Sequence, residues 1–207
     1  MLGYYNYTVV LTYLGLMVGF SGILATLNGQ FKSALICLMI SGFCDMFDGK
    51  IASTMERTKE ERRFGIQIDS LCDLVCFGVL PAIIVYRKFG NSRLVAFASA
   101  FYLLCALIRL AWFNVDEEER QSREVGSREE YLGLPVTSTA LILPCLMGIG
   151  HRQHWPLSMI GPLALFIMGT AFLTPFRVKK PASPGKVGMM LLGGIGMLLV
   201  MMSGMDV

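Results

Sequence analysis

Seven apolar stretches alternate with short polar segments along the chain. Most of these stretches are about twenty residues long, roughly the length that an α-helix needs to cross a lipid bilayer. The predicted spans are residues 5–28, 31–53, 65–86, 93–114, 134–150, 155–176 and 185–204. The pattern therefore predicts an all-α fold, a polytopic transmembrane helix bundle with about six core spans plus a C-terminal span. Residues 1–207 would form a single integral membrane domain.

Composition agrees with a membrane protein. The 207 residues are 54% hydrophobic and 16% charged, and the net charge of +3 is too small to indicate a nucleic-acid partner. No Lys or Arg precedes the first apolar stretch, so we expect that stretch to be retained as a span and not cleaved as a signal.

Basic residues are concentrated between particular spans. Twelve of the 18 Lys and Arg residues lie in residues 50–64, 115–133 and 177–186. The positive-inside rule therefore predicts that these segments and the N-terminus face the cytoplasm, in a multi-pass protein of the cell membrane. Mixed charges at i,i+4 spacing in residues 116–131 predict a solvated amphipathic turn of helix, whereas residues 177–186 are predicted to form a basic loop.

Four of the 15 acidic residues fall inside predicted spans: Asp45, Asp48, Asp69 and Asp73. Each would cost roughly 2.5 to 3.5 kcal/mol at the centre of a bilayer, so the four together require a shared reason. Around their helices, the first pair lies about 60° apart and the second about 40° apart, so each helix presents one acidic face. The short connection makes the two helices antiparallel neighbours and brings both pairs to a similar depth, near the cytoplasmic end.

Four carboxylates at one depth would repel one another strongly unless cations lay between them. Oxygen ligands without histidine or cysteine nearby favour Mg²⁺, Mn²⁺ or Ca²⁺ over zinc. The aspartates therefore predict a metal site for two ions. All six cysteines lie inside apolar stretches without a CxxC pair, so we predict packing residues and neither a disulfide nor a thiolate zinc site.

Small residues accompany the aspartates. Gly49 directly follows Asp48, Ala52 lies one turn beyond Asp48, and Gly65 stands four positions before Asp69. A missing side chain allows a ligand or a backbone to approach closely. A groove lined by small residues and metal, beside a basic cytoplasmic loop, is suited to a diphosphate.

The segments "DMFDGKIAS" (45–53) and "GIQIDSLCD" (65–73) resemble the motif of the CDP-alcohol phosphotransferases. That motif reads D-x-x-D-G-x-x-A-R, then a spacer, then G-x-x-x-D-x-x-x-D. Two features depart from it: Ser53 stands at the arginine position, and twelve residues separate Ala52 from Gly65, more than the usual spacer. Arg57, Arg62 and Arg63 are alternative sources of the missing charge.

Three further segments look like the phosphatidylserine synthase branch of that family: "DSLCDLVCFGVLPA" (69–82), "RLAWFNV" (109–115) and "YLGLPVTSTA" (131–140). The branch implies a CDP-diacylglycerol-serine O-phosphatidyltransferase. Such an enzyme transfers a phosphatidyl group from CDP-diacylglycerol to the hydroxyl of L-serine and releases CMP. The resemblance also implies two divalent cations, Mg or Mn, as cofactors, membrane lipids as partners, and a homodimer.

The resemblance assigns roles to individual residues. It implies that Asp45, Asp48, Asp69 and Asp73 are metal ligands and that Asp73 is also the general base. The implied CDP-binding residues are Gly49, Ala52, Gly65 and Asp69.

Three further polar residues are candidates for contacts to serine or to phosphate. Arg109 is the only basic residue inside a predicted span, so it would face a polar cavity and grip a carboxylate or phosphate, or else pair with an aspartate. Ser70 and Asn114 could add hydrogen bonds, although a structural role is the stronger expectation for each.

Two other functions are open at this point. The same chemistry could use another alcohol, such as glycerol phosphate or inositol phosphate, or the ether lipids of archaea in place of diacylglycerol. A cation-coupled transporter would also place carboxylates in the membrane. All four acids lie towards one side of the membrane, which favours a surface-open catalytic site over a midplane transport site.

Overall fold

The structure is a computed structural model and describes residues 3–52, 54–90, 92–123, 130–179 and 183–203. The helices in this part of the chain are α1 (Val10–Leu27), α2 (Phe31–Ala52), α3 (Lys59–Asp73), α4 (Leu80–Phe89), α5 (Arg93–Arg123), α6 (Thr139–Arg152), α7 (Leu157–Leu173) and α8 (Ser183–Met202). Each of the seven predicted spans contains a helix, and the third contains both α3 and α4. The predicted all-α bundle is confirmed.

Three helical segments among the described residues are long and apolar enough to cross a membrane: Tyr7–Leu27, Lys59–Phe89 and Arg93–Glu119. Helix α7 and residues 191–202 of α8 are apolar but shorter. Helix α2 also carries Asp45, Asp48 and two lysines among its 22 residues. These helices support a multi-pass membrane protein.

Helix α1 packs along α2 and also contacts α3, α5 packs against α7, and α6 packs against α8. Close approach of α1 depends on Gly19, because a Cβ added there would lie 2.5 Å from Cys76 Sγ. A Cβ added at Gly15 would lie in ordinary contact with Cys44 Cβ, at 3.4 Å. These two glycines therefore pack helices within the bundle. At the centre, Leu35, Leu38 and Leu80 are fully buried.

A π-helical turn over residues 74–79 joins α3 to α4, directly after Asp73. Pro81 has no backbone N–H and cannot donate to the carbonyl four residues earlier, which belongs to Phe77. The hydroxyl of Tyr102, which is fully buried in α5, donates a 2.5 Å hydrogen bond to that carbonyl oxygen instead and also contacts Thr139 Oγ1 at 2.8 Å. A side chain from another helix thus stabilises the backbone at the turn.

Two segments differ from the predicted loops. Residues Glu130–Leu132 (β1) and Arg177–Lys179 (β2) form an antiparallel pair in which Tyr131 lies opposite Val178. The prediction of a basic loop for residues 177–186 is therefore wrong at its start. Three-residue strands are too short to show an alternating pattern of apolar and polar residues. Their pairing depends on closeness between the start of α6, which follows β1, and the end of α7, which precedes β2. Gly133 N–H donates to Phe176 O at 2.7 Å across this junction.

Helix α5 continues nine residues beyond the predicted end of its span, to Arg123. The helical conformation predicted within residues 116–131 is confirmed as far as residue 123, whereas Glu130 and Tyr131 belong to β1. Residues 124–129 of that segment lie outside the described residues.

Candidate active site

A connection between α2 and α3 sets the position of the acidic residues. Helix α3 begins after Thr58, whose hydroxyl accepts a hydrogen bond from Glu61 N at 3.2 Å. The Glu61 carboxylate in turn accepts one from Thr58 N at 2.9 Å. This capping box fixes where α3 starts and therefore which way Asp69 and Asp73 project.

The aspartates of α2 and α3 lie close together. One carboxylate oxygen from each of Asp45, Asp48 and Asp69 lies within 4.8 Å of the other two. Asp45 and Asp48 also line one small cavity together with Asp73, so the fourth carboxylate lies close to this group. The structure thus brings together all four acidic side chains that were selected from the sequence.

The oxygens of Asp45, Asp48 and Asp69 fit a single divalent cation. Two ligand oxygens on opposite sides of Mg²⁺ are at most about 4.2 Å apart, and on opposite sides of Ca²⁺ about 5 Å apart. Three oxygens within 4.8 Å of one another can therefore bind one such ion after small side-chain movements. This acidic cluster could hold a metal.

Asp73 differs from the other three aspartates in position. Its side chain is buried, at 9% exposure, and it is not one of the three residues whose oxygens form the close group. Together with Asp45 and Asp48 it lines a small cavity against α1. A carboxylate beside a group of candidate metal ligands, but not part of that group, can accept or hold a proton.

The expectation that no cysteine lies near the aspartates is wrong. Cys44, Cys72 and Cys76 line the same cavity. Their thiols are free, and Cys72 Sγ lies 3.9 Å from Cys76 Sγ. Helical spacing could have indicated this, since Cys44 lies one turn before Asp48 and Cys76 lies one turn beyond Asp73.

Polar contacts to α1 satisfy the hydrogen-bonding groups on the cysteine side of the cavity. Cys72 Sγ contacts Thr12 O at 3.3 Å, and Ser41 Oγ donates to Gly15 O at 3.0 Å. These neighbours were not identified from the sequence, because α1 is distant from them along the chain.

The small residues singled out from the sequence lie on α2 and α3, close in sequence to the aspartates. Gly49 is exposed with open space where a side chain would stand, and Ala52 is the last residue of α2. Gly65 lies on α3, one turn before Asp69, with the Arg57 guanidinium against it. Ser53, at the arginine position of the motif, lies outside the described residues.

Ser70 and Asn114 contact each other. Ser70 Oγ of α3 donates a 2.5 Å hydrogen bond to Asn114 Oδ1 of α5, and Asn114 Nδ2 donates to Gln67 Oε1 at 3.3 Å. These bonds hold α5 against α3 beside Asp69. These hydrogen bonds agree with the structural role expected for Ser70 and Asn114. Contact of either side chain with a ligand stays a prediction.

Arg109 lies buried in α5, at 6% exposure. Its guanidinium carbon is 5.3 Å from the centre of the Trp112 ring and 5.8 Å from that of Phe113, both within one turn on the same helix. Arginine often stacks on aromatic faces in this way. Its predicted contact with a substrate carboxylate or phosphate stays a prediction.

A family model described as CDP-alcohol phosphatidyltransferase matches residues 5–202 of the chain. Among curated relatives, the Helicobacter pylori (strain J99) protein named CDP-diacylglycerol–serine O-phosphatidyltransferase is 28% identical over 153 residues, 73% of this chain and 61% of that relative. A protein of the same name from Methanocaldococcus jannaschii is 29% identical over 167 residues, 81% of this chain and 71% of that relative.

A third relative is the archaetidylserine synthase of Methanothermobacter thermautotrophicus, which is 29% identical over 135 residues, 65% of this chain and 54% of that relative. The chain thus spans less than two thirds of the length of the Helicobacter and Methanothermobacter proteins. The family match extends over all eight α-helices of the described part of the chain, including the acidic residues of α2 and α3. The chain belongs to the CDP-alcohol phosphatidyltransferase family, as its aspartate motif predicted.

Proposed function

We propose that this protein transfers a phosphatidyl group from CDP-diacylglycerol to the hydroxyl of L-serine, giving phosphatidylserine and CMP. The observation that carries the proposal is the meeting of Asp45, Asp48 and Asp69 oxygens within 4.8 Å in a chain of this family. The names of the relatives from Helicobacter and Methanocaldococcus support serine as the acceptor.

The aspartates and the small residues beside them have different proposed roles. Asp45, Asp48 and Asp69 would hold the cations, with Asp73 as an additional ligand, and Gly49, Ala52 and Gly65 would let the nucleotide lie close to the backbone. When bound, two divalent cations, Mg²⁺ or Mn²⁺, neutralise the diphosphate and the charge that develops on the departing CMP.

The reaction is a direct displacement. The serine hydroxyl oxygen attacks the phosphorus that bears diacylglycerol and forms a new P–O bond. The bond from that phosphorus to the CMP oxygen breaks, and CMP leaves with the bonding electrons. Asp73 accepts the hydroxyl proton. A carboxylate is a weak base for an alcohol, so we expect orientation of the two reactants to contribute more than basicity.

A purified preparation in mixed micelles with CDP-diacylglycerol and Mn²⁺ or Mg²⁺ tests this proposal. We expect CMP release that depends on L-serine and that Asp73→Asn slows by about 10² to 10⁴. Glu60→Gln should retain the wild-type rate, because Glu60 is an exposed acid on the first turn of α3. Release with serine by the Asp73→Asn variant at the wild-type rate would contradict the assignment of the base.

A different acceptor is the alternative. CMP release with glycerol phosphate or inositol phosphate, but not with serine, would keep the chemistry and discard the serine assignment. An archaeal ether-lipid donor is a second comparison, since one relative is named archaetidylserine synthase. Cation flux through liposomes without nucleotide would instead support a transporter.

Orientation and assembly are also part of the proposal. We expect the acidic groove to face the cytoplasm, because the flanking segments carry most of the basic residues. Labelling of Cys variants placed at Lys59 in intact cells and in inverted vesicles tests the orientation. We also expect a homodimer, and light scattering in detergent measures its mass.

A further inference from the structure

Arg57 lies against the backbone of Gly65. A Cβ added at Gly65 would stand 3.1 Å from Arg57 Nη1, so the guanidinium group occupies the space that a side chain at this position would need. Arg57 belongs to the connection between α2 and α3, and its side chain is half-buried. Of the three arginines that the sequence offered as sources of charge, Arg57 is the one with this contact, whereas Arg62 and Arg63 are exposed.

Gly65 lies on the side of α3 that carries Asp69 and Asp73, which we call the acidic stripe. Asp69 and Asp73 follow it at intervals of four residues, so the three positions lie along nearly the same side of the helix. Four residues rise about 6 Å along a helix. The Arg57 guanidinium therefore contacts α3 at Gly65, one helical turn before the backbone of Asp69.

The charges around Arg57 favour an anionic ligand. Burial lowers the pKa of the Arg57 guanidinium and the nearby charge of Arg62 lowers it further, whereas Glu61 raises it. The Glu61 carboxylate is already engaged by Thr58 N and by Asn6 Nδ2, at 2.9 and 3.4 Å. Within the part of the chain that the structure describes, Arg57 makes no ion pair with a carboxylate. A half-buried cation in such surroundings gains stability when an anion binds.

The segment that carries Arg57 is held in place on both sides. Thr54 Oγ1 donates to Ile51 O at 2.7 Å and contacts the Tyr7 hydroxyl at 3.0 Å. On the other side, the capping box of Thr58 and Glu61 fixes the start of α3. A guanidinium on a fixed segment loses less freedom when it binds a ligand, so it binds more tightly.

We propose that Arg57 binds the diphosphate of the cytidine nucleotide at the Gly65 end of the groove. The inference rests on the proposed function, which places a nucleotide diphosphate on the cations held by Asp45, Asp48 and Asp69. The planar guanidinium can donate two parallel hydrogen bonds to phosphate oxygens. In this chain Ser53 stands at the arginine position of the motif, so that position carries no positive charge. Arg57, between Ala52 and Gly65, would supply a positive charge instead.

Binding of nucleotides to the purified protein with Mn²⁺, in the absence of serine and lipid donor, tests the inference. Isothermal titration with CDP and with cytidine should show that Arg57→Ala weakens CDP binding about tenfold or more while leaving cytidine affinity unchanged, because cytidine carries no phosphate. Arg57→Lys should lose less CDP affinity than Arg57→Ala, since lysine keeps the positive charge but cannot donate two parallel hydrogen bonds. Unliganded melting temperatures of the variants check that each is folded.

Arg63→Ala is the matched control, since Arg63 is an exposed arginine of α3 that pairs with Glu118 at 3.7 Å. We expect its CDP affinity to stay at the wild-type value. Equal loss of CDP and cytidine binding in Arg57→Ala would overturn the inference, because it would indicate a structural role. Unchanged CDP binding, with weaker binding of phosphatidylglycerol in mixed micelles, would also overturn it, since Arg57 would then contact a lipid phosphate.

Different results would overturn the role of Arg57 and the proposed transfer to serine. Serine-dependent CMP release by the wild type, together with CDP binding that is unaffected in Arg57→Ala, would overturn the inference alone. Arg57-dependent CDP binding without serine-dependent release would support the inference and remove serine as the acceptor.

Discussion

The hydroxyl of Ser70 donates a 2.5 Å hydrogen bond to Asn114 Oδ1. The bond joins α3 to α5 through two residues that are 44 positions apart in sequence. Ser70 is buried and directly follows Asp69 on α3. Rotation or sliding of α3 would move Asp69 relative to the two aspartates of α2. The bond between Ser70 and Asn114 therefore resists a movement that would separate the carboxylate oxygens of Asp45, Asp48 and Asp69.

Asn114→Ala should weaken Mn²⁺ binding several-fold and lower the unfolding free energy by about 1 to 3 kcal/mol, because it leaves the Ser70 hydroxyl buried without its acceptor. Electron paramagnetic resonance of Mn²⁺ and thermal melting measure these effects. Gln67→Ala is the control, since it removes only the longer 3.3 Å bond to Asn114. Equal effects of the two substitutions would contradict the positioning role of Ser70 and Asn114.

The geometry of the acidic cluster predicts different losses for Asp69 and Asp73. Asp69→Asn should weaken Mn²⁺ binding by at least about tenfold, since Asp69 provides one of three oxygens that lie within 4.8 Å of one another. Asp73→Asn should retain binding of one Mn²⁺ and lower the rate of CMP release by about 10² to 10⁴, the usual contribution of a general base.

Titration of Mn²⁺ and single-turnover CMP release, measured on the same preparations, separate the two effects. If Asp73→Asn lost all Mn²⁺ binding while Asp69→Asn kept it, the division of roles between these residues would be reversed. Glu60→Gln is again the matched control, because Glu60 is exposed on the first turn of α3.

Packing of α1 depends on the absence of a side chain at Gly19. Gly19→Ala places a methyl group 2.5 Å from Cys76 Sγ and 3.4 Å from Ser41 Oγ, so we expect destabilisation of about 1 to 3 kcal/mol. The double variant Gly19→Ala, Cys76→Ala removes the sulfur and should recover much of the loss.

Thermal melting in detergent measures this recovery. Gly193→Ala on α8 is the control, because an added Cβ there meets nothing within 4 Å. A double variant no more stable than Gly19→Ala would show that the overlap with Cys76 is not the cause.

Tyr102→Phe should destabilise the turn after Asp73. The variant leaves the buried Phe77 carbonyl without the 2.5 Å hydrogen bond that replaces the donor missing at Pro81. We expect a loss of about 1 to 3 kcal/mol in unfolding free energy. Tyr86→Phe, at an exposed tyrosine on α4, should have no measurable effect. A Tyr102→Phe variant that melts with the wild type would contradict this account of the π-helical turn.

The sequence by itself determined the helices and the composition of the acidic faces. Both depend on local spacing: apolar stretches of bilayer length predict spans, and separations of three or four residues place Asp45 with Asp48 and Asp69 with Asp73 on common faces. The same spacing, with Gly49 and Gly65 beside the aspartates, identified the family. These features require no knowledge of how the helices pack.

Tertiary structure decided which distant groups meet. Nothing local pairs Ser70 with Asn114, directs the Tyr102 hydroxyl to Phe77, or selects Arg57 from the three arginines near Gly65. The pairing of β1 with β2 is equally non-local. Such contacts depend on the relative positions of helices, which are set by the packing of whole faces, so the periodicity of a single segment does not determine them.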